Sequence, residues 1–264
     1  MREIPSISYA FIRFLIASLI VIPILHSKSH LKIKTLKDII PISLFASVNI
    51  IFFVLGVKLT TANVSQLLYT ATPLLTAIIL FMVFKETLSK QKIIGLIIGL
   101  LGVALIIILP IIQNTNPFSG DLTGNLLVAT AVISWSFYMA FSKKLLANYS
   151  PFTVTSVFII ITTIVLFPLF LYQFSLDSSW ILKLSGQAIT SVLYVALLGT
   201  IGAYFLNQYA IKHGGAVFAS MAYYLNPLVT FLLSFILLGE KLTIAVLTGG
   251  LFALLGVYIV TKKR

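Results

Sequence analysis

Nine stretches of about 20 apolar residues follow one another along the chain. They lie at 8–27, 38–57, 63–84, 92–112, 122–145, 152–173, 187–210, 216–238 and 242–261. Each is long enough to cross the hydrocarbon of a bilayer as a helix. No hydrophilic block between them is large enough to make a soluble domain. In hydrocarbon a backbone N–H or C=O has no water to bond, so an apolar chain of this kind resolves into helices that satisfy themselves. Composition agrees, with 9% charged residues against roughly 25% in soluble domains and a mean hydropathy of +1.11. The expected fold is an all-α polytopic membrane protein, with short connections that make consecutive helices antiparallel neighbours. The first run lacks a small-residue cleavage site and reads as a span, not a removable signal.

The net charge of +12 is spread over short loops and forms no continuous basic face, so no nucleic-acid partner is expected. Its distribution instead gives orientation. One set of loops and ends holds Lys28, Lys32, Lys34, Lys37, Lys85, Lys90, Lys92, Lys143, Lys144, Lys212, Lys262, Lys263 and Arg264. The other set holds only Arg2, Lys58, Lys183 and Lys241. By the positive-inside rule the C-terminus is cytoplasmic and the N-terminus external, in the cytoplasmic membrane of a bacterium-like cell. Cysteine is absent, which excludes disulfides, thiolate metal sites and a cysteine nucleophile.

A second constraint is internal. Residues 72–88 read TPLLTAIILFMVFKETL, and residues 226–242 read NPLVTFLLSFILLGEKL. At one constant offset Tyr69 matches Tyr223, Pro73 matches Pro227, Thr76 matches Thr230, Phe81 matches Phe235 and Glu86 matches Glu240. Gly95 and Gly102 then fall on Gly249 and Gly256 with no gap. This is an internal repeat. The loop 113–121, QNTNPFSGD, separates its halves, 1–112 and 121–264. Because span three runs inward and span eight outward, the repeat is inverted. The second half holds five spans and the first only four, leaving 122–145 without a counterpart. Its partner is expected ahead of residue 1, through a displaced start or a truncation; a native nine-helix chain is the other reading.

The stretch TPLLTAIILFMVFKETLSKQKIIGLIIGLLGV, repeated as NPLVTFLLSFILLGEKLTIAVLTGGLFALLGV, resembles the EamA-like branch of the drug/metabolite transporter superfamily. GDLTGNLLVATAVISWSFYMAFSKKLLANYSP resembles the helix that opens that family's second half. The resemblance implies two five-helix inverted repeats, ten helices with both ends cytoplasmic, and export or exchange of small metabolites. The present chain departs from it in the first helix.

Candidate site residues follow from the repeat. A proline inside a helix offers no N–H and frees the carbonyl four residues earlier, here those of Tyr69 and Tyr223. Broken helices near the midplane of inverted repeats are a common way to build a transport site. Pro73 and Pro227, with Tyr69, Thr70, Thr72, Tyr223 and Asn226, are therefore expected to line a central cavity. Trp135, Ser136, Tyr138, Asn49, Tyr204 and Asn207 are further polar candidates inside spans. Arg13 is the one basic residue well inside a span, where it either serves function or snorkels to the interface. Glu86 and Glu240 are expected to fix turns by accepting from free N–H groups of the next helix. Gly95, Gly99 and Gly102, with Gly249, Ala253 and Gly256, form small-residue stripes for close packing within the chain or in a homodimer. All six acids and all three histidines fall in loops or at ends. No nucleophile, base or metal set is placed inside the membrane, and neither catalysis nor a cofactor is expected. A transporter of a small molecule is the leading reading; a non-transporting subunit or fragment, and a membrane enzyme acting on lipid-linked substrates, are the alternatives.

Overall fold

The computed structural model describes residues 3–27, 33–60, 62–113, 121–238 and 244–262. Their regular structure is entirely helical and makes nine rods, one for each apolar run. In order these are α1 (Ser6–Ser27), α2 (Ile33–Gly56), the pair α3 (Ala62–Tyr69) and α4 (Thr72–Phe84), α5 (Lys90–Gln113), α6 (Leu122–Asn148) and α7 (Pro151–Leu176). A 3-10 turn at Ser179–Lys183 leads to α8 (Gly186–Tyr194), which passes through a π-helical stretch, Val195–Gly202, into α9 (Ala203–Gly214). The chain ends with α10 (Ala216–Ser220), α11 (Ala222–Leu238) and α12 (Ile244–Thr261).

Starts are set by side chains that satisfy the orphan N–H groups of a first turn. Asp121 accepts from the Thr123 amide, Ser150 from Thr153 and Ser185 from Ala188. Outward-facing side chains are apolar, among them Leu19, Met82, Leu198, Leu206 and Ile236. Among the described residues six helices are long and apolar enough to cross a membrane by length and composition. Buried hydroxyls tie the rods together: Ser18 to Thr163 at 2.7 Å, Ser47 to Thr162 at 2.8 Å, and Ser134 to the carbonyl of Phe45 at 2.7 Å.

The packing of α5 on α12 reveals the symmetry of the fold. A Cβ at Gly95 would lie 2.8 Å from the carbonyl oxygen of Gly256, and one at Gly102 would lie 2.6 Å from that of Gly249. Since Gly95 repeats as Gly249 and Gly102 as Gly256, each contact is the image of the other. That reciprocity is what a two-fold axis between the halves requires. Only residues without side chains let two helix backbones come so close. The stripes are thus used within the chain. One neighbour breaks the symmetry: Tyr224, fully buried, presses its ring into the notch at Gly99 and donates to the Leu96 carbonyl at 3.0 Å. Its counterpart in the first half is Thr70.

The two prolines do not act alike. In the first half the rod is broken at Thr70–Ala71 and Pro73 stands in the opening turn of α4, where its missing N–H costs nothing. The carbonyl of Tyr69 is not left for a ligand, because the Thr72 hydroxyl donates to it at 2.6 Å. In the second half the break falls earlier, at Met221, and Pro227 sits inside α11.

Candidate functional site

A cavity of about 590 Å³ lies on the same axis, between α1, α2, α3, α6, α9 and α11. Its centre is the ring pair Tyr69 and Tyr223, stacked with centroids 5.6 Å apart. These residues are each other's images in the repeat, so the stack straddles the boundary between halves. Phe53 meets Tyr69 edge-on at 5.5 Å, and Trp135 meets Tyr204 at 5.7 Å. Asn49 positions Tyr69 by donating to its hydroxyl at 2.7 Å and to the Ala131 carbonyl at 2.8 Å. Its amide hydrogens are thereby spent, while the Tyr69 hydroxyl keeps its own proton to donate.

Polar groups complete the wall. Arg13, Ser65, Gln66 and Asn226 line it, and the guanidinium of Arg13 stands near the Tyr204 hydroxyl and 5.0 Å from the Phe14 ring centre. Two buried donors on this wall, Nε of Arg13 and Nε1 of Trp135, make no hydrogen bond among the described residues. The Tyr223 hydroxyl lies near the Trp135 indole without forming one. Among the described residues no carboxylate lines the cavity.

Of the candidates singled out from sequence, Tyr69, Trp135, Tyr223, Asn226 and Pro227 line this cavity, as do Arg13, Asn49 and Tyr204. Thr72, Pro73, Tyr138 and Asn207 do not. Thr72 is fully buried and committed to the Tyr69 carbonyl; Pro73 is packed beside it in the opening turn of α4. Tyr138 sits behind Trp135, ring centres 5.0 Å apart, wedged against Phe158. Asn207 follows Tyr204 on α9 with its Oδ1 buried and without a hydrogen bond. Gln66 and Ser65 are lining residues that sequence reading passed over. They belong to the same short helix as Tyr69, three and four residues before it, which puts all three on one face. The π-helical stretch ahead of Tyr204 was equally unread; such segments rotate the following side chains about the axis and recur at functional sites.

A second cavity, of about 750 Å³, opens at the lysine-rich end, with Lys92, Lys143, His213 and Lys262 in its wall. Here Glu86 pairs with Lys143, joining the turn after α4 to the C-terminal part of α6. The free N–H groups of α5 are met by Ser89, whose hydroxyl accepts from Lys92, so the capping expected of Glu86 falls to serine instead. Glu240 lies outside the described residues. Both partners of the ion pair are well exposed, which limits its contribution to stability. Between the cavities α10 packs against α4, sealed by Thr76, Ala77, Val217 and Ser220.

Helical rods with lipid-facing apolar surfaces, two halves related by a two-fold axis and a polar cavity on that axis define a polytopic membrane protein of the inverted-repeat class. The sequence profile of the EamA-like transporter family matches residues 1–108 and 122–262. The chain belongs to that family. It is 29% identical to an uncharacterized transporter of Archaeoglobus fulgidus, over 100% of this chain and 91% of the relative. With the uncharacterized transporter YdfC of Bacillus subtilis it shares 28% identity, covering 87% of this chain and 73% of YdfC. With a WAT1-related protein of Arabidopsis thaliana it shares 27%, covering 96% and 80%. A crystal structure superposes with a TM-score of 0.76 at 17% identity, over 98% of this chain and 88% of the other, and so shares the fold.

Proposed function

We propose that the chain is a secondary transporter that moves a small metabolite or drug-like molecule across the cytoplasmic membrane, by efflux or exchange, through alternating access of its two halves. One observation carries this reading. The contact of α10 with α4 closes the path at the lysine-rich end. Applying the repeat, residues of α10 map onto α3 and residues of α4 onto α11. Those two image helices hold the wall of the open cavity at the other end. One end is therefore closed by a contact whose symmetry mate is open, the arrangement expected of an inverted repeat caught in one of two equivalent states. Exchange of the two contacts would close the Tyr69–Tyr223 cavity on one side and open it on the other. With the lysine-rich end assigned to the cytoplasm, the conformation described here is open to the outside.

The absence of cysteine makes the test direct. Single cysteines at Gln66 and Val229, in the cavity wall, and at Ala216, at the opposite end, are labelled with an impermeant thiol reagent in intact cells. Labelling at Gln66 and Val229, with Ala216 protected, is expected. A transported solute should slow labelling at Gln66 and expose Ala216 to reagent applied from inside. Labelling that no solute alters, together with no uptake by purified protein in liposomes, would favour a non-transporting subunit. Reporter fusions at Lys143 and Asp177 check the orientation, cytoplasmic for the first and external for the second.

A further inference from the structure

The chemistry of the cavity wall narrows what the site accepts, on the reading that this cavity is the transport site. Among the described residues its only charged lining residue is Arg13, and arginine keeps its charge in proteins. A cation inside a membrane span is costly without a counter-charge. Among the described residues the one ion pair is Lys143 with Glu86, at the other end of the molecule. Arg13 therefore has no carboxylate partner within the described protein.

The neutral groups tell the same story. Two of the buried donors without acceptors among the described residues, Nε of Arg13 and Nε1 of Trp135, lie on this one wall, and Tyr204 bridges them, near the guanidinium and ring to ring with the indole. Buried N–H groups without acceptors are rare in native proteins and are explained by a missing ion, water or ligand. The Tyr69 hydroxyl, an acceptor for Asn49, adds a third donor. Around these donors the surface is flat and aromatic, from Phe53, Tyr69, Tyr204 and Tyr223. The other mouth carries the same sign of charge: Lys92, Lys143, His213 and Lys262 line it, and its single carboxylate is held by Lys143. Positive walls without competing acids raise the local concentration of anions at both ends of the path.

We infer that the site takes a monoanionic carboxylate carrying a flat apolar body, with the carboxylate held by Arg13 and the Trp135 indole N–H and the body lodged against the Tyr69–Tyr223 stack. One fixed positive charge matches one negative charge. A free ammonium group would find aromatic faces but no carboxylate among the described lining residues, and it would be repelled by Arg13.

The test uses 3-phenylpropionate, its amine analogue phenethylamine, the zwitterion phenylalanine and neutral 3-phenylpropanol, with purified full-length protein. Binding is read by Trp fluorescence; the only other tryptophan, Trp180, is removed as Trp180→Phe so that the signal comes from Trp135. Transport is read as uptake into liposomes. The acid should bind and be carried in preference to the other three. Arg13→Gln should weaken its binding about tenfold or more, the usual effect of losing a hydrogen bond to a charged group. Arg13→Lys, which keeps the charge and loses the fork, should recover part of the loss and guards against a folding defect in the glutamine variant. Equal binding of acid and amine, or an Arg13→Gln protein that binds the acid as the parent does, overturns the anion assignment. If a different member of the panel is carried and Tyr69→Ala abolishes that, the cavity stands as the site and only its charge preference falls. If none of the four is bound or carried, both readings fall together.

Discussion

Replacing Gly256 by alanine adds one methyl group where none fits. The new Cβ would lie 2.5 Å from the Gly99 amide nitrogen and 2.6 Å from the Gly95 carbonyl oxygen, against 3.4 Å for the start of ordinary van der Waals contact. The neighbours are backbone, with no side chain that can swing aside, so α5 and α12 must part by roughly 1 Å along the most extensive helix pairing among the described residues. Overpacking of this kind costs about 1–3 kcal/mol. Alanine returns up to about 1 kcal/mol of helix propensity, which leaves a net loss on the order of 1–2 kcal/mol. Unfolding by SDS titration in mixed micelles, followed by Trp fluorescence, measures it. Gly186→Ala is the internal control, since a Cβ there meets nothing within 4 Å. Gly102→Ala should resemble Gly256→Ala, and the double variant should lose less than the sum, because helices already parted accept the second methyl cheaply. A Gly256→Ala protein as stable as Gly186→Ala would refute the seam.

Other outcomes follow from the cavity and the loops. Tyr69→Ala, Tyr223→Ala and Asn226→Ala should each lower transport severalfold in liposome uptake while the protein reaches the membrane in normal amount. Transport at the parent rate in all three would place the site elsewhere. Glu86→Gln should leave any dependence of uptake on a pH gradient unchanged, because its carboxylate sits at the lysine-rich surface with Lys143, remote from the cavity. At the opposite end the Ser185 amide and hydroxyl donate to Glu3 and hold its carboxyl below the usual value of 4.5. The stabilisation from this tether is present in full above that value and is lost as pH falls through the lowered one. Titration of the Glu3 carboxyl by NMR should give a midpoint under 4.5, and Ser185→Ala should raise it.

The rods and the repeat could be read from the sequence because their signals are local or periodic. Twenty apolar residues have one structural outcome in hydrocarbon, and the Pro, Glu and Gly spacing recurs without gaps. The seam was legible for the same reason, since glycine and alanine at helical spacing have little use in a span except close approach. The site was legible only in part. Tyr69, Trp135, Tyr223 and Asn226 line the cavity, yet Thr72, Tyr138 and Asn207 are equally polar and do not line it. What separates them is rotation about the helix axis, and a break at Thr70–Ala71 or a π-helical stretch before Tyr204 changes that rotation without leaving a mark in hydropathy. The unequal placement of the two breaks was also hidden, because the same proline can open a helix or sit within one. Gln66 escaped notice because its partner in the repeat, Ser220, shares no obvious role with it.

Tyr224 gives the molecule a preferred side. Its ring and hydroxyl secure α11 to α5 through Gly99 and Leu96 in the conformation described here. When the halves trade roles, position 70 inherits the part of Tyr224 and Gly250 that of Leu96. A threonine has no ring to fill the notch and cannot reach across it. Under the proposed alternating access, the two conformations would be alike in shape but unequal in energy, with this one favoured in the empty protein. On that proposal, a solute that drives the cycle would have to favour the other conformation by at least that difference, and one tyrosine would set how readily the protein turns over unloaded.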